Sequence, residues 1–154
     1  LESSARPYTL RVESPVIMES RAAQVETMKT LREYVRFRGM AVQIVADEWA
    51  DTCKDVQAFV DAEAADMIHI NGPQLGSIGN SVEAVLACKR GDIGVLLGGS
   101  CTETDLAARV AAHVALATQP DLVLARPGLD VDTAVSTMRN EMARALVLIK
   151  ARDL

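Results

Sequence analysis

The sequence predicts an α/β fold in which parallel strands alternate with helices. Its 154 residues are 49% hydrophobic and 24% charged, a balance that allows one domain to bury a core. Short runs rich in β-branched residues recur along the chain, and each is followed by a longer segment with apolar residues at helical spacing. Strands that alternate with helices of a dozen or more residues are typical of βαβ units and a parallel sheet.

Five strands are predicted, with a helical segment after each of them. The strand runs are residues 9–13, 42–47, 67–71, 94–98 and 122–125. The eight residues before the first strand are predicted to be an amino-terminal tail. Residues 9–154 are predicted to form a single domain, because no proline-rich or low-complexity linker interrupts the alternation.

Capping residues predict where the helices begin and end. Gly39 marks the end of the first helix, since glycine is common just past a helix carboxyl end. Pro127 and Gly128 precede the last helix. Polar residues able to cap a helix open the three helices between them: Asp51 or Thr52, Asn80 or Ser81, and Thr102 or Thr104.

Two parallel architectures fit this alternation. A doubly wound sheet places a glycine-rich phosphate loop after an early strand, and neither that loop nor a Walker motif occurs. A barrel instead places polar residues at the carboxyl ends of successive strands. Such residues follow every strand here: Glu13, Asp47 with Glu48 and Trp49, His69 and Asn71, Ser100 and Cys101, and Arg126. We therefore expect an incomplete TIM-type barrel of about five βα units, since a closed barrel needs eight strands.

Charge and composition argue against several classes of function. The net charge of −5, without a basic stretch, disfavours a nucleic-acid partner. The chain has neither an 18-residue apolar run nor an apolar signal segment at its start, so we expect no membrane partner and a cytoplasmic location. Cys53, Cys88 and Cys101 are too widely spaced for a disulfide framework or a zinc motif, and we expect them to be reduced and packed.

The first long helix is unusually rich in charge, which predicts a solvated face. The charged residues are Glu26, Lys29, Arg32, Glu33, Arg36 and Arg38.

Two carboxylates occupy equivalent positions in neighbouring βα units. Glu13 and Asp47 each stand at the carboxyl end of a strand, where they can converge on one hard cation such as Mg²⁺. Each can instead cap the next helix or pair with a loop arginine. From spacing alone, both interpretations stay open.

Two further groups of polar residues are candidates for binding a ligand. His69 and Asn71 alternate on one strand, so their side chains point to the same side and either can hydrogen-bond a ligand. A histidine at a strand end is more often a structural hydrogen-bond donor. Ser100 and Cys101 lie in a glycine-containing loop before a helix, a position that suits an anion. A plain turn with a capping threonine explains that loop as well.

Several segments, in one order and at matching spacing, resemble the carboxyl-terminal barrel segment of the methylaspartate ammonia-lyase family, a branch of the enolase superfamily. The segments are residues 12–15, 44–49, 65–70, 98–104, 125–128 and 140–142. The similarity extends from about residue 9 to about residue 148. It implies that the first strand here is the fourth of an eight-unit barrel, so that the amino-terminal cap and three barrel units lie outside this sequence.

The resemblance also implies a reaction and a set of site residues. In this family Mg²⁺, held by three carboxylates, assists the elimination of ammonia from 3-methylaspartate. Glu13 and Asp47 match two of those ligands, and the third would lie in the absent part. His69 matches a substrate-binding glutamine, and Ser100 with Cys101 matches a substrate-contacting pair. Asn71 matches the proton-abstracting lysine, and an amide cannot act as a general base.

We therefore expect Mg²⁺ to bind weakly or not at all, and the isolated chain to be inactive. The expected ligand is an amino-acid-type small molecule. Exposed edge strands and a bare inner face predict a homodimer or a partner chain that completes the barrel. The alternative function is a non-catalytic oligomeric module for binding or assembly on a half-barrel scaffold.

Overall fold

The computed structural model describes residues 2–99, 104–125 and 130–152, and over these it alternates strands with helices. The strands are β1 (Leu10–Glu13), β2 (Val42–Ala46), β3 (Met67–Asn71), β4 (Gly94–Gly98) and β5 (Leu122–Val123). The helices are α1 (Glu2–Ala5), α2 (Arg21–Phe37), α3 (Cys53–Asp61), α4 (Ile78–Arg90), α5 (Asp105–Thr118) and α6 (Val131–Arg152). The predicted αβ order is confirmed, with β5 two residues shorter than predicted and α1 lying within the predicted tail.

The sheet has the strand order of a barrel arc. Its order is β1-β2-β3-β4-β5, and every neighbouring pair is parallel. A doubly wound sheet would reverse its order part-way, and this one does not. The five strands form a curled half-barrel, which confirms the predicted incomplete TIM-type fold.

The two faces of the sheet bury different apolar residues. The face toward the helices carries the main core, which includes strand residues Ile44, Ile68, Ile70 and Val95. Alternate residues on the inner face form a second cluster of Val45, Met67 and Leu96, flanked by Leu122 and Leu124. Val45, Met67 and Leu96 are buried within this chain. The inner face is therefore less bare than the sequence analysis predicted.

Serine and threonine hydroxyls cap the helices at their amino ends. Thr52 and Thr104 cap α3 and α5, as predicted. The prediction for α4 is wrong: Ser77 is the cap, and its hydroxyl accepts the Asn80 backbone N–H at 3.1 Å. Asn80 and Ser81 lie in the first turn instead, where the Asn80 amide donates to the Leu75 carbonyl. At the other end of a helix, Gly39 follows α2 with φ +62°, as a carboxyl-terminal glycine should.

The two described cysteines are packed as predicted. Cys88 is buried, and burial raises the pKa of its thiol to about 12. Cys53 is half-buried and donates to the Asn80 carbonyl. Cys101 lies outside the described residues.

Arg32 departs from the predicted solvated face of α2. It is only 8% exposed, because it lies on the same side of the helix as the buried Met28 and Val35. Its guanidinium donates to the Asp66 carboxylate at 2.8 Å and to the Glu63 carbonyl at 2.6 Å. This clamp fixes α2 to the chain that leads into β3.

Asp66 also joins two strands. Its carboxylate accepts the Ile44 backbone N–H at 2.9 Å and a second guanidinium, that of Arg36, at 3.0 Å. Burial alone would raise the pKa of Asp66, but the Arg32 and Ile44 hydrogen bonds and the two guanidinium charges outweigh it and hold that pKa below its ordinary value. Asp66 is therefore an ionised side chain that links α2 and β2 to the residue preceding β3.

A second buried carboxylate fastens α6 to α5. The Glu141 side chain is 2% exposed and accepts from Arg144 and from Arg109, while His113 Nε2 lies 2.7 Å from its Oε1. Hydrogen bonds from Arg144 and then His113 lower the pKa of Glu141 to about 2. The carboxylate is therefore charged throughout the ordinary pH range.

Glu141→Gln is expected to flatten the acid dependence of stability. A carboxyl whose folded-state pKa is depressed contributes stability above its unfolded-state pKa, and that contribution is lost as the pH falls towards the folded-state pKa of about 2. Urea unfolding between about pH 5 and about pH 3 measures the slope. Glu83→Gln is the control, since Glu83 forms an exposed pair with Arg90. Equal slopes in the two variants would contradict this assignment.

Candidate metal centre

Three side chains able to ligate a metal meet at the carboxyl end of the sheet. Glu13 ends β1, Asp47 follows β2 directly, and His69 lies in β3. One ligand atom from each lies within 4.8 Å of those from the other two. The predicted convergence of Glu13 and Asp47 on one point is therefore present, and the cluster also includes His69, which the sequence analysis placed with the substrate.

The turns that follow β1 and β2 hold unusual backbone conformations. Ser14 has φ 43° and Trp49 has φ 66°, a left-handed region that residues with side chains seldom adopt. The Ser14 N–H donates to the Val45 carbonyl at 3.1 Å, and the Trp49 indole donates to the Met18 carbonyl at 3.0 Å. These bonds hold the strand ends that present Glu13 and Asp47, and strain of this kind is common at functional sites.

His69 is a buried side chain held between the two carboxylates. It is 8% exposed, and its Nδ1 lies 2.6 Å from Glu13 Oε1 and 3.4 Å from Asp47 Oδ1. The ring passes over Gly98 on the neighbouring strand, where a Cβ would lie 1.9 Å from His69 Nε2. Only glycine at this position leaves room for the imidazole.

The electrostatics of the cluster are those of crowded negative charge. Burial raises the pKa of Asp47, His69 opposes that shift, and the nearby carboxylates of Glu13, Glu48 and Asp51 raise the pKa further. A cation between the carboxylates would relieve this repulsion.

Asn71 lies on the same strand face as His69, as predicted. It is the register partner of Gly98. Its Oδ1 is buried and, like His69 Nε2, has no hydrogen-bond partner among the described residues. Ser100 and Cys101, the remaining predicted substrate residues, lie outside the described residues, as does Arg126. The structure thus brings together four of the six predicted site residues at one end of the sheet.

An apolar cavity lies beside this cluster, between α4 and α5. Its volume is about 390 Å³, and its lining includes Gly72, Ser77, Gly98 and Thr104. Gly98 lines this cavity and is also in contact with the His69 ring, whereas the three ligating side chains do not line it. The cavity is large enough for a small organic molecule.

Comparison with known proteins identifies the family. A family model described as "Methylaspartate ammonia-lyase C-terminus" matches residues 1–151. The methylaspartate ammonia-lyase of Haloarcula marismortui is 51% identical over 146 residues, which are 95% of this chain and 35% of that protein. This chain belongs to the methylaspartate ammonia-lyase family. The resemblance found in the sequence is thereby confirmed.

Solved structures of methylaspartate ammonia-lyases share the fold in detail. The Mg-complex of β-methylaspartase from Clostridium tetanomorphum has a TM-score of 0.90 and 38% identity, and the match covers 98% of this chain and 37% of that one. The Citrobacter amalonaticus methylaspartate ammonia-lyase containing (2S,3S)-3-methylaspartic acid has a TM-score of 0.92 and 36% identity, and the match covers 97% of this chain and 36% of that one. A muconate lactonizing enzyme from Pseudomonas fluorescens and a 2-chloromuconate cycloisomerase from Rhodococcus opacus, at 19% and 23% identity, share the fold alone.

This chain spans 35–37% of the length of the methylaspartate ammonia-lyases that it matches in sequence. Among the described helices, none is both long and apolar enough to cross a membrane.

Sequence reasoning missed two features of the centre. It placed His69 with the substrate, because a strand pattern shows which face a side chain takes but not the direction of its ring. It also gave Gly98 no role of its own, placing it at the end of the fourth strand and at the start of the glycine-containing loop. The available signal was a glycine on β4 that lies diagonally across from a histidine on β3, and only the strand register, which pairs His69 with Leu96 and Asn71 with Gly98, reveals it.

Proposed function

We propose that this chain forms the carboxyl-terminal barrel part of a carbon–nitrogen lyase that eliminates ammonia from 3-methylaspartate or a similar amino acid. The proposal is supported by its relatives, one of which was solved as a Mg-complex and another with 3-methylaspartic acid bound. Glu13 and Asp47 would supply carboxylates to the metal. His69, Ser100 and Cys101 would lie on the substrate side of the site.

The residues of this chain fit Mg²⁺ poorly. Mg²⁺ requires near-octahedral oxygen ligation and keeps its water tightly, whereas this cluster offers two carboxylates and an imidazole nitrogen. We propose that Mg²⁺ binds here with a dissociation constant of about a millimolar or weaker, a binding free energy of about −4 kcal/mol at most in magnitude.

Asn71 is the observation that supports inactivity of the isolated chain. Its amide, of which Oδ1 is buried, stands at the strand position where the family resemblance places the base, and an amide takes up no proton in the accessible pH range. His69 is a poor substitute. Its Nδ1 is engaged by Glu13, and its Nε2 faces the backbone of Gly98. Loss of a positioned base removes about 10²–10⁴-fold of rate acceleration.

The two unpaired edges of the sheet favour a partner. Among the described strands, β1 and β5 are each paired on one side only, so both ends of the sheet can accept another strand. We propose that a partner chain supplies the other units, or that two copies associate as a homodimer. If they form a homodimer, the replacement at Asn71 favours the second candidate function, a non-catalytic module for binding or assembly.

We expect no turnover from the isolated chain. The assay is the absorbance of the unsaturated diacid product from 3-methylaspartate with excess Mg²⁺, for the unmodified chain and for Asn71→Lys. Asn71→Lys alone should also be inactive, because the lysine lacks a firmly bound metal and the rest of the pocket. Turnover by the unmodified chain would contradict the inactivity.

A reconstitution separates the two candidate functions. Asn71→Lys is mixed with the amino-terminal part of the Clostridium tetanomorphum enzyme, and both turnover and molar mass by light scattering are measured. Complex formation with turnover supports the lyase proposal. A homodimer that does not bind the added segment supports the assembly module. A stable monomer that does not bind it contradicts both the partner-chain complex and the homodimer.

A further inference from the structure

We propose that the cluster of Glu13, Asp47 and His69 binds a divalent transition metal such as Zn²⁺ or Co²⁺ in preference to Mg²⁺. The inference deepens the proposed function and rests on it only in taking these strand ends as a metal site.

The chemistry of the donor set carries the preference. An imidazole nitrogen and two carboxylate oxygens are ligands that Zn²⁺ and related ions accept readily, as in catalytic zinc sites with mixed histidine and carboxylate ligation. Mg²⁺ gains little from the nitrogen. Among the residues that the structure describes, the cluster is thus not a purely acidic one, and its most buried member is the nitrogen ligand.

The distances are compatible with an ion bound at about 2.1 Å, a bond length that Zn²⁺ and Mg²⁺ share, so the preference itself rests on the donor atoms. Two ligand atoms held at about 2.1 Å from one metal are about 3.0–3.4 Å apart. His69 Nδ1 lies 3.4 Å from Asp47 Oδ1, which already fits. It lies 2.6 Å from Glu13 Oε1, so Glu13 must withdraw by a few tenths of an ångström when a metal takes the place of the proton between them. Glu13 is free to do so because its side chain is 41% exposed.

The surroundings of His69 present one particular nitrogen. The ring is buried against Gly98, with Nε2 on the Gly98 side and Nδ1 between the carboxylates, so Nδ1 is the ligand atom. An imidazole that binds through Nδ1 carries its proton on Nε2, and that N–H needs an acceptor. Asn71 Oδ1, buried and likewise unpartnered on the same strand face, would have to approach Nε2 to become that acceptor, since the two atoms are not hydrogen-bonded to each other in this structure.

The chain contains its own spectroscopic reporter. Trp49 is the only tryptophan and follows Asp47 by two residues, so Co²⁺ or Ni²⁺ in the cluster should quench its fluorescence. Titrations of the full chain with Co²⁺, Zn²⁺ and Mg²⁺ are followed by tryptophan fluorescence, by Co²⁺ d–d absorption and by calorimetry. We expect Co²⁺ and Zn²⁺ to bind at least about 100-fold more tightly than Mg²⁺. Equal or tighter binding of Mg²⁺ would overturn the proposal.

Variants locate the site. His69→Gln should weaken Co²⁺ binding at least about 30-fold and change Mg²⁺ binding by less than about threefold, since only the nitrogen ligand is lost. The matched control is His113→Gln, which removes the only other histidine, on α5 away from the cluster. Should His69→Gln fail to fold by circular dichroism, Glu13→Gln at the exposed ligand locates the site instead, because loss of a carboxylate should weaken Co²⁺ and Mg²⁺ binding alike. Equal losses in the control, or a thiolate-to-cobalt charge-transfer band, would overturn the assignment in favour of another site.

The metal titrations and the reconstitution experiment can give opposite outcomes, so failure of the metal-site proposal can be distinguished from failure of the proposed function. Metal selectivity is read without substrate and without an added barrel segment. Tight Co²⁺ binding with no reconstitution would leave the metal site standing and remove the lyase proposal. Turnover after reconstitution, together with tighter binding of Mg²⁺ than of Co²⁺, would support the lyase proposal and remove the proposed transition-metal site.

Discussion

Arg32→Met is expected to lower the free energy of unfolding by about 3–5 kcal/mol, because Asp66 loses the more buried of its two guanidinium partners and keeps only the exposed Arg36, while the Glu63 carbonyl loses a donor. The side chains of Arg32 and Asp66 are both largely buried, and the guanidinium also satisfies the Glu63 carbonyl. In a chain of this length the melting temperature should fall by about 6–20 °C. Urea unfolding near neutral pH measures the loss. The control, Arg90→Met in an exposed pair, should cost less than about 1 kcal/mol.

The effect of pH separates charge from packing at this clamp. The pKa of Asp66 is held below its ordinary value, so its ionised form stabilises the fold above the unfolded-state pKa, and the contribution is lost as the pH falls through the folded-state value. The cost of Arg32→Met should therefore shrink as the pH falls below about 4. A cost that is independent of pH would assign the effect to lost packing of the arginine stem instead.

The fold was largely predictable because its determinants are local. Each strand run and each helical period is visible within a short window, and sequential parallel strands leave few topologies open. Thr52 and Thr104 were found as caps because a hydroxyl before an apolar period is a strong signal. Ser77 was missed because Asn80 and Ser81 carry the same signal a few residues later, and only the backbone path decides between them.

The candidate site was predictable in its membership but not in its chemistry. Glu13, Asp47, His69 and Asn71 were all identified from strand ends, which the barrel architecture brings together. Their pairing depends on strand register and ring direction, which no local pattern encodes. The burial of Arg32 was not predicted for a related reason. An arginine on an amphipathic helix is normally solvated, and its burial here follows from Asp66, a partner distant in sequence.

Gly98→Ala is expected to cost about 3 kcal/mol of stability and to abolish Co²⁺ binding in the cluster. The added methyl would lie 1.9 Å from His69 Nε2, 2.7 Å from Cδ2 and 2.9 Å from Cε1, so the whole ring must leave its position. Since Gly98 is outside the left-handed region, alanine meets no backbone penalty there, and the three atoms nearest to the added methyl all belong to the ring.

A double-mutant cycle tests whether the His69 ring is the cause. In a His69→Ala background the ring is gone, so adding Gly98→Ala should cost less than about 1 kcal/mol, a coupling of about 2 kcal/mol. Gly79→Ala in α4 is the control. Its Cβ would make only an ordinary contact with Ser77 Oγ at 3.8 Å, so the change should be neutral or stabilising. An undiminished cost of Gly98→Ala without the ring would show that glycine is required for the strand itself. If Gly98→Ala no longer lowers stability in the His69→Ala background, β4 carries glycine at this position because the imidazole must pass across it to lie between Glu13 and Asp47.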